Sequence, residues 1–166
     1  MTLSRLLPSV LLLISSAAQA GRLNDGVAGV AWGARETFPA PMEGCAHRPE
    51  PEAEWICQKK MGEASVRIGY TWKYGLVYGS VLEARSFLDC DTLRRVLKEA
   101  WGDGQPKSDY AKGSMDDWFW FDGLVAAVWS YNQFSKICSV TVIHRPSMEL
   151  VQRKDQEAAK SISNGI

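Results

Sequence analysis

Apolar and polar residues alternate along several short stretches of the chain, a pattern that predicts half-buried β-strands. In VRIGYTW, residues Val66, Ile68, Tyr70 and Trp72 share one face of such a strand. The stretch WICQK precedes it, and LVYGSVLEAR follows it after a turn at Lys73-Tyr74-Gly75. The first half of the chain is therefore predicted to contain consecutive antiparallel strands.

The same alternation returns in the second half. The stretches DDWFWF and GLVAAVWSY flank Asp122-Gly123, and Asp-Gly favours the positive φ angles of a tight hairpin turn. KICSVTVIH follows as a third strand, which ends before Pro146. Residues 147–166 are predicted to form a C-terminal helix or a polar tail.

Between the two strand regions lies a stretch with helical periodicity. Apolar residues recur at helical spacing from Leu93 to Ala100, Asp89 is the predicted N-cap, and Gly102 is predicted to end the helix. We expect this helix to separate two groups of strands.

Two similar hexapeptides suggest an internal duplication, since WKYGLV spans 72–77 and WFDGLV spans 120–125. We predict hairpin turns at both, with Gly75 and Gly123 at equivalent positions. Chance similarity is the alternative, because Gly-Leu-Val consists of common residues. The fold prediction is an α+β domain over 21–146. It has antiparallel sheet with helices on one face, in two related α-βββ units at about 30–86 and 87–145.

The first twenty residues have the pattern of a secretory signal peptide. Arg5 precedes the apolar run LLPSVLLLISSA, and Ala18 and Ala20 are the small residues before the predicted cut at Gly21. A membrane anchor is the alternative, but the run is shorter than the roughly 20 residues that a spanning helix needs. We therefore expect a periplasmic or secreted protein without a membrane span.

All four cysteines follow that leader, which in an oxidising compartment predicts two disulfides. Four cysteines allow three pairings. The local pairing of Cys45 with Cys57 leaves Cys90 with Cys138. A metal site at Cys45, His47 and Cys57 is the alternative, but it lacks the paired spacing of zinc ligands, so no metal is predicted.

The stretches GCAHRPEPEAEWIC and VLKEAWGDGQP carry a resemblance to a known family. The layout resembles small exported bacterial proteins built from tandem helix-plus-antiparallel-sheet repeats, such as the β-lactamase inhibitory proteins. In that family an early loop is closed by two cysteines, and a repeat helix ends at glycine. The chain departs from the family where Pro39 and Pro41 interrupt the first helix region, and in Cys90, which precedes the second helix. The layout therefore predicts the fold, and by itself it does not predict inhibitory activity.

Little in the chain indicates catalysis or a cofactor. The 19 basic and 19 acidic residues are scattered, which gives no footprint for nucleic acid. His47 and His144 lie in no catalytic motif, and GVAGVAWG lacks the Lys-Ser/Thr of a phosphate loop. Cys90, at a helix start, could be a reactive thiol, but a disulfide with Cys138 is favoured. We predict a protein that is not an enzyme and has no cofactor.

Aromatic residues gather around the two hairpins, and in WFWF they point to both faces of one strand. One interpretation is a sheet covered on both faces. The other is an exposed aromatic face that binds a protein partner, because Trp and Tyr are common interface anchors. The candidate binding residues are Trp72, Tyr74, Trp118 and Trp120.

Three functional hypotheses follow from the sequence. The first is an exported, non-enzymatic binding module for a protein partner, a class that includes inhibitors and immunity-type proteins. The second is a structural component of a cell-envelope or secretion assembly. The third is an enzyme whose site is assembled in space, for which a pocket that joins His144 to a carboxylate would be the sign.

Overall fold

The computed structural model describes residues 22–34, 45–47, 55–106 and 118–163. These residues form one antiparallel sheet of nine strands and two α-helices, which confirms the predicted α+β class. The predicted leader 1–20, its cut before Gly21, and Pro39 and Pro41 lie outside the described residues.

The elements alternate between strand groups and helices along the chain. A short 3-10 helix (Leu23–Asp25) comes first. The other elements are β1 (Gly33–Ala34), β2 (Cys45–His47), β3 (Trp55–Met61), β4 (Ala64–Lys73), β5 (Leu76–Ala84), α1 (Phe87–Trp101), β6 (Gln105–Pro106), β7 (Trp118–Asp122), β8 (Val125–Asn132), β9 (Ile137–His144) and α2 (Arg145–Ser163).

The strand order in the sheet is β2-β3-β4-β5-β9-β8-β7-β6, and β1 pairs with the start of β5. Strands β5 and β9 are therefore the central pair, and each half of the chain extends outward from them. In the second half, α1 precedes the long strands β7, β8 and β9, as predicted. In the first half, the described residues between 30 and 86 contain strands without an α-helix.

Both repeated hexapeptides form two-residue hairpin loops. In the first, Tyr74 and Gly75 have φ angles of 54° and 76°, so both adopt the left-handed conformation of a type I′ turn. In the second, Asp122 pairs with Val125, so the loop consists of Gly123 and Leu124. The predicted turn was thus one residue too early.

The two turns occupy different places in the sheet. Counted from the central pair, the Gly75 turn joins the inner strands β4 and β5, whereas the Gly123 turn joins the outer strands β7 and β8. The predicted equivalence of these turns is therefore wrong. The similar hexapeptides have a physical explanation that needs no duplication. A two-residue hairpin between apolar strands favours glycine at positive φ, wherever the hairpin lies in the sheet.

The N-cap of helix α1 lies three residues before the predicted one. Ser86 is the N-cap, because its Oγ accepts a hydrogen bond from the Asp89 backbone N–H at 3.0 Å. The Asp89 carboxylate accepts bonds from Ser86 Oγ (2.7 Å) and from the Ser65 backbone N–H (2.9 Å). Both bonds lower the pKa of Asp89, and the bond from Ser65 has the larger effect. Gly102 follows the last helical residue, as predicted.

The main core lies between α1 and one face of the sheet, which we call the core face. Leu93 and Leu97 of α1 are fully buried there, together with Trp129 of β8. The arm before β1 closes another part of this face, because Tyr70 Oη donates to the Val27 carbonyl at 3.1 Å. Residues between the core positions of each strand point to the opposite side, the outer face.

Helix α2 begins at Arg145, directly after β9, so Pro146 lies in its first turn. Proline is tolerated there because the first backbone N–H groups of a helix have no partner within the helix. The Arg145 N–H donates to the Leu124 carbonyl at 2.9 Å. Val151 of α2 is buried but lies outside the main core cluster, so α2 packs separately, mainly against β5.

Two disulfides join Cys45 to Cys57 and Cys90 to Cys138, which confirms the predicted pairing. The Cys90 sulfur is therefore not a free thiol, and the sulfurs of Cys45 and Cys57 are not metal ligands. Disulfides are typical of proteins outside the cytoplasm. Neither α1 nor α2, the α-helices in the described part of the chain, has the length and apolarity to cross a bilayer.

Candidate functional site

Trp120, one of the four predicted binding residues, lies in the core. Its side chain is 5% exposed, and its indole Nε1 donates to the Gly102 carbonyl at 2.9 Å. Its ring also meets the ring of Trp101 edge-on, with centroids 5.7 Å apart. A residue held in this way is not accessible to a partner, so this part of the prediction is corrected.

Trp72 and Trp118 are half-buried and pack against the core. The Arg94 guanidinium lies 4.9 Å from the ring centroid of Trp118, which is a cation–π distance. Each tryptophan is therefore only partly exposed to solvent. Their main role in this conformation is to close the margin of the core.

Tyr74 is the most accessible of the four, at 44% exposure. Its hydroxyl donates to Asp155 of α2 at 2.6 Å, and the Lys73 ammonium donates to the same carboxylate at 2.7 and 2.8 Å. The bonds from Lys73 and Tyr74 lower the pKa of Asp155, and the bonds to Asp155 raise the pKa values of Lys73 and Tyr74. Lys73 and Lys154 also lie 5.2 and 5.6 Å from the Tyr74 ring centroid.

The four residues do not form one surface. Both hairpin turns lie at the same end of the sheet, because strands β5, β9, β8 and β7 alternate in direction. However, β9 and the start of α2 lie between them. The structure therefore brings Trp118 and Trp120 together on β7, and leaves Trp72 and Tyr74 at a separate corner.

A different set of apolar side chains is exposed on the outer face of β7, β8 and β9. Phe121 is 57% exposed and Val128 is 38% exposed. The strand register aligns these side chains with their neighbours in two rows across the sheet. We call this set the outer-face patch, and its members are Phe119, Phe121, Ala126, Val128, Thr141 and Ile143.

The sequence contained a signal for this patch. In WFWF, the alternation that directs Trp118 and Trp120 to the core directs Phe119 and Phe121 to the other side. Tryptophan is frequent at protein interfaces, which favours Trp118 and Trp120 as binding residues on sequence alone. That frequency does not distinguish the two faces of a strand, because the largest aromatic side chains also gain most from core burial.

A cleft runs along the free edge of β7. Strand β6 pairs only with Trp118 and Phe119, so 120–122 have no strand neighbour on that side among the described residues. The cleft has a volume of about 710 Å³. Aromatic residues of β7 and α1 line it together with the arm and the segment after α1: Arg22, Leu23, Ala100, Trp101, Asp103, Gly104, Gln105, Phe119, Trp120, Phe121 and Asp122.

His144 lies between a buried serine and an aromatic ring. Its Nδ1 lies 2.7 Å from Ser147 Oγ, and its ring stacks on Trp32 with centroids 6.0 Å apart. Burial lowers the pKa of His144, and Ser147 is itself buried. The parts of the chain that the structure describes contain no group of three or more His, Cys, Asp or Glu residues suited to a metal ion.

No protein-family model, curated protein or solved structure matches this chain. The resemblance to β-lactamase inhibitory proteins therefore stays a prediction.

Proposed function

We propose that this protein is an exported, non-enzymatic binding module that recognises a protein partner through the outer-face patch. The observation that carries the proposal is the exposure of Phe121 and Val128 on strands whose opposite side carries buried residues such as Trp129. Exposed apolar side chains that are grouped, and not scattered, often mark protein interfaces.

The backbone beneath the patch is well ordered by its hydrogen bonds. Strand β8 pairs with β9 along its whole length and with β7 from Val125 to Trp129, so Val128 has a strand neighbour on both sides. A partner would therefore bind side chains whose backbone is already fixed. Little conformational entropy is lost when such a surface binds, which favours affinity.

The patch also has the layout expected of a small interface. Phe119, Phe121 and Val128 supply its apolar centre, while the exposed residues Ser130 and Thr141 supply hydroxyl groups beside it. A centre of aromatic and aliphatic residues with a polar margin is common at protein interfaces. We infer a partner surface that is apolar at its centre and hydrogen-bonding around it.

This proposal changes the predicted set of binding residues. Trp120 is removed from it, and the outer-face phenylalanines take its place. Tyr74 and the half-buried Trp72 and Trp118 are kept as candidates for contacts outside the patch. The two-unit relationship is likewise kept as a proposal, supported by the position of β5 and β9 at the centre of the sheet.

Export is part of the same proposal. The signal-like leader with its predicted cut after Ala20 is one support, and the two disulfides are another. Both fit a periplasmic or secreted location. The partner is then expected in the envelope or outside the cell, where an oxidised protein would meet it.

Affinity capture with matched variants tests the proposal. Mature protein is immobilised and exposed to envelope extract, and the captured partner is identified and quantified for wild type, Phe121→Lys, Val128→Lys and Phe134→Lys. Phe134 is a matched control because it is 99% exposed and lies in the β8–β9 loop, at the other end of β8. We expect the two patch variants to lose capture at least about tenfold, with unchanged melting temperature.

Two results would contradict the proposal. One is equal capture by wild type and both patch variants. The other is loss of capture by Phe134→Lys alone. Sedimentation of the purified complex then gives its stoichiometry: a defined one-to-one complex fits a binding module, whereas extended multivalent assembly fits the envelope-component hypothesis.

A further inference from the structure

The two disulfides differ in how far the protein encloses them. Cys90 and Cys138 are both fully buried in the main core. The carbonyl oxygen of Ala84 lies 3.6 Å from the Cys90 sulfur and 3.8 Å from the Cys138 sulfur, and that of Lys136 lies 3.8 Å from the Cys90 sulfur. A reagent in solvent therefore reaches neither sulfur unless the core opens.

The Cys45–Cys57 bridge is enclosed at one end only. Cys57 is fully buried and belongs to the main core, whereas Cys45 is half-buried and packs at the margin of that core. Cys45 is thus the only one of the four cysteines with surface exposed to solvent. Disulfide exchange depends on access of a thiolate to one sulfur, so this bridge is attacked at Cys45.

The strand that carries Cys45 has few backbone pairs to hold it. Strand β2 consists of three residues at the edge of the sheet, and among the described strands it pairs with β3 alone. Its register places Cys45 directly opposite Cys57. Short segments at an edge open at a lower free energy than the whole fold. Opening of β2 therefore exposes this bridge while the rest of the sheet stays paired.

Loop length favours the same order of reduction. Cys45 and Cys57 are 12 residues apart in the sequence, whereas Cys90 and Cys138 are 48 apart. On the chain-entropy model a bridge that closes a shorter loop stabilises the fold less. Reduction of Cys45–Cys57 therefore removes less stability than reduction of Cys90–Cys138.

We propose that Cys45–Cys57 is an exchangeable disulfide that latches β2 to β3, and that the dithiol of a thiol–disulfide oxidoreductase outside the cytoplasm attacks it at Cys45. Cys90–Cys138 is the permanent bridge. This exchange requires neither the outer-face patch nor its partner, so it goes beyond the proposed function.

The exchange takes two steps, and its electrons balance. A thiolate of the oxidoreductase attacks Cys45 Sγ and forms a mixed disulfide. The Cys45–Cys57 bond breaks, and Cys57 leaves as a thiolate that takes a proton from water. The second thiolate of the oxidoreductase then attacks the oxidoreductase sulfur of the mixed disulfide and releases Cys45 as a thiolate. The bridge gains two electrons, and the oxidoreductase is oxidised to its own disulfide.

Graded reduction of the native mature protein tests the order of release. Dithiothreitol is the reductant, free thiols are trapped with N-ethylmaleimide at intervals, and peptide mapping locates them. We expect Cys45 and Cys57 to be labelled at least about tenfold faster than Cys90 and Cys138, because local opening is less costly than opening of the core. Equal rates for the two bridges, or faster release of Cys90–Cys138, would overturn the inference.

Reduced glutathione, which has a single thiol, identifies the attacked sulfur. Brief exchange followed by acid quenching leaves a mixed disulfide, and peptide mapping should place the glutathione on Cys45. Glutathione found mainly on Cys57 would contradict the proposed attack, because the buried sulfur would then be the accessible one.

Hydrogen exchange of the partly reduced protein tests the latch. Amides at 45–47 should exchange faster once Cys45–Cys57 is open, whereas those of β5 and β9 should keep their protection. Unchanged exchange at 45–47 would show that the bridge does not latch β2. Loss of protection across β5 and β9 would show that the bridge holds the whole fold, which also overturns the inference.

Discussion

Tyr74 and Asp155 are joined by a hydrogen bond of 2.6 Å although 81 residues separate them in the sequence. Tyr74 has a φ of 54°, a left-handed conformation that is unfavourable for a bulky side chain. Its hydroxyl and its ring are both held by α2, through Asp155 and Lys154. Helix α2 therefore helps to fix the conformation of the first hairpin turn.

This contact makes stability depend on pH at both extremes. The pKa of Asp155 is lower in the folded protein than in the unfolded chain, where it is about 3.9. The stabilisation by Asp155 is therefore present above about pH 3.9 and is lost as the pH falls through the folded-state pKa. The pKa values of Tyr74 and Lys73 are higher in the folded protein than in the unfolded chain. The stabilisation by these two residues is therefore present below about pH 10 and is lost as the pH rises further. Melting temperatures of wild type and Asp155→Ala should differ between about pH 4 and 10 and converge outside that range.

A second exposed acid on the same helix provides the control. Glu157→Ala removes a carboxylate from α2 without removing the contacts of Tyr74 and Lys73. Its melting temperature should follow that of wild type across the pH range. A difference as large as that of Asp155→Ala would mean that general helix charge, and not this contact, causes the effect.

Gly104 should tolerate alanine poorly. Its φ is 69°, and an added Cβ would lie 2.9 Å from the Trp120 ring and 3.2 Å from the Phe119 carbonyl oxygen. Gly123 has a similar φ of 57° but no atom within 4 Å of its added Cβ. Chemical denaturation should show a cost of about 1 kcal/mol for Gly123→Ala, and about 1–3 kcal/mol more for Gly104→Ala. Equal costs would contradict the close approach to Trp120.

The two disulfides should contribute unequally to stability. Cys90 and Cys138 are 48 residues apart, whereas Cys45 and Cys57 are 12 apart. On the chain-entropy model, the longer loop stabilises by about 4 kcal/mol and the shorter one by about 3 kcal/mol. Urea denaturation of the two double-alanine variants measures the difference, and a larger loss for the Cys45–Cys57 pair would contradict this order.

Neighbouring aromatics on β7 should behave in opposite ways. Trp120→Ala removes a buried ring with its hydrogen bond to Gly102 and should cost about 3–5 kcal/mol. Phe121→Ala changes an exposed ring and should cost less than about 1 kcal/mol. Thermal and chemical unfolding of the two variants measures both values. A large loss for Phe121→Ala would place it in the core and remove it from the proposed interface.

The strands and α1 could be predicted because their patterns are long and regular. The alternation in β4 and the helical spacing in α1 each report burial on one side of an element, which is a property of the local sequence. The N-cap was predicted wrongly, although Ser86 lies only three residues before Asp89 and accepts a hydrogen bond from its backbone N–H. The Asp89 carboxylate also accepts a bond from the Ser65 backbone N–H, 24 residues away. Local sequence does not contain that contact.

The binding residues were harder to predict for a related reason. Trp120 and Phe121 are adjacent aromatics, and only the packing of α1 and Trp101 decides which side of β7 is covered. The edge cleft depends on where β6 stops pairing. The strand order, which places β9 next to β5, likewise depends on contacts between distant parts of the chain.

The central position of β5 and β9 has a consequence for how the chain folds. Ala84 and Cys138 are partners across that pair but lie 54 residues apart, so the pairing must wait until the second half of the chain is available. Until then the first half has an open edge along β5, the strand that becomes interior later. A second molecule could supply its own β9 to that edge, so slow folding or high concentration should favour domain-swapped dimers.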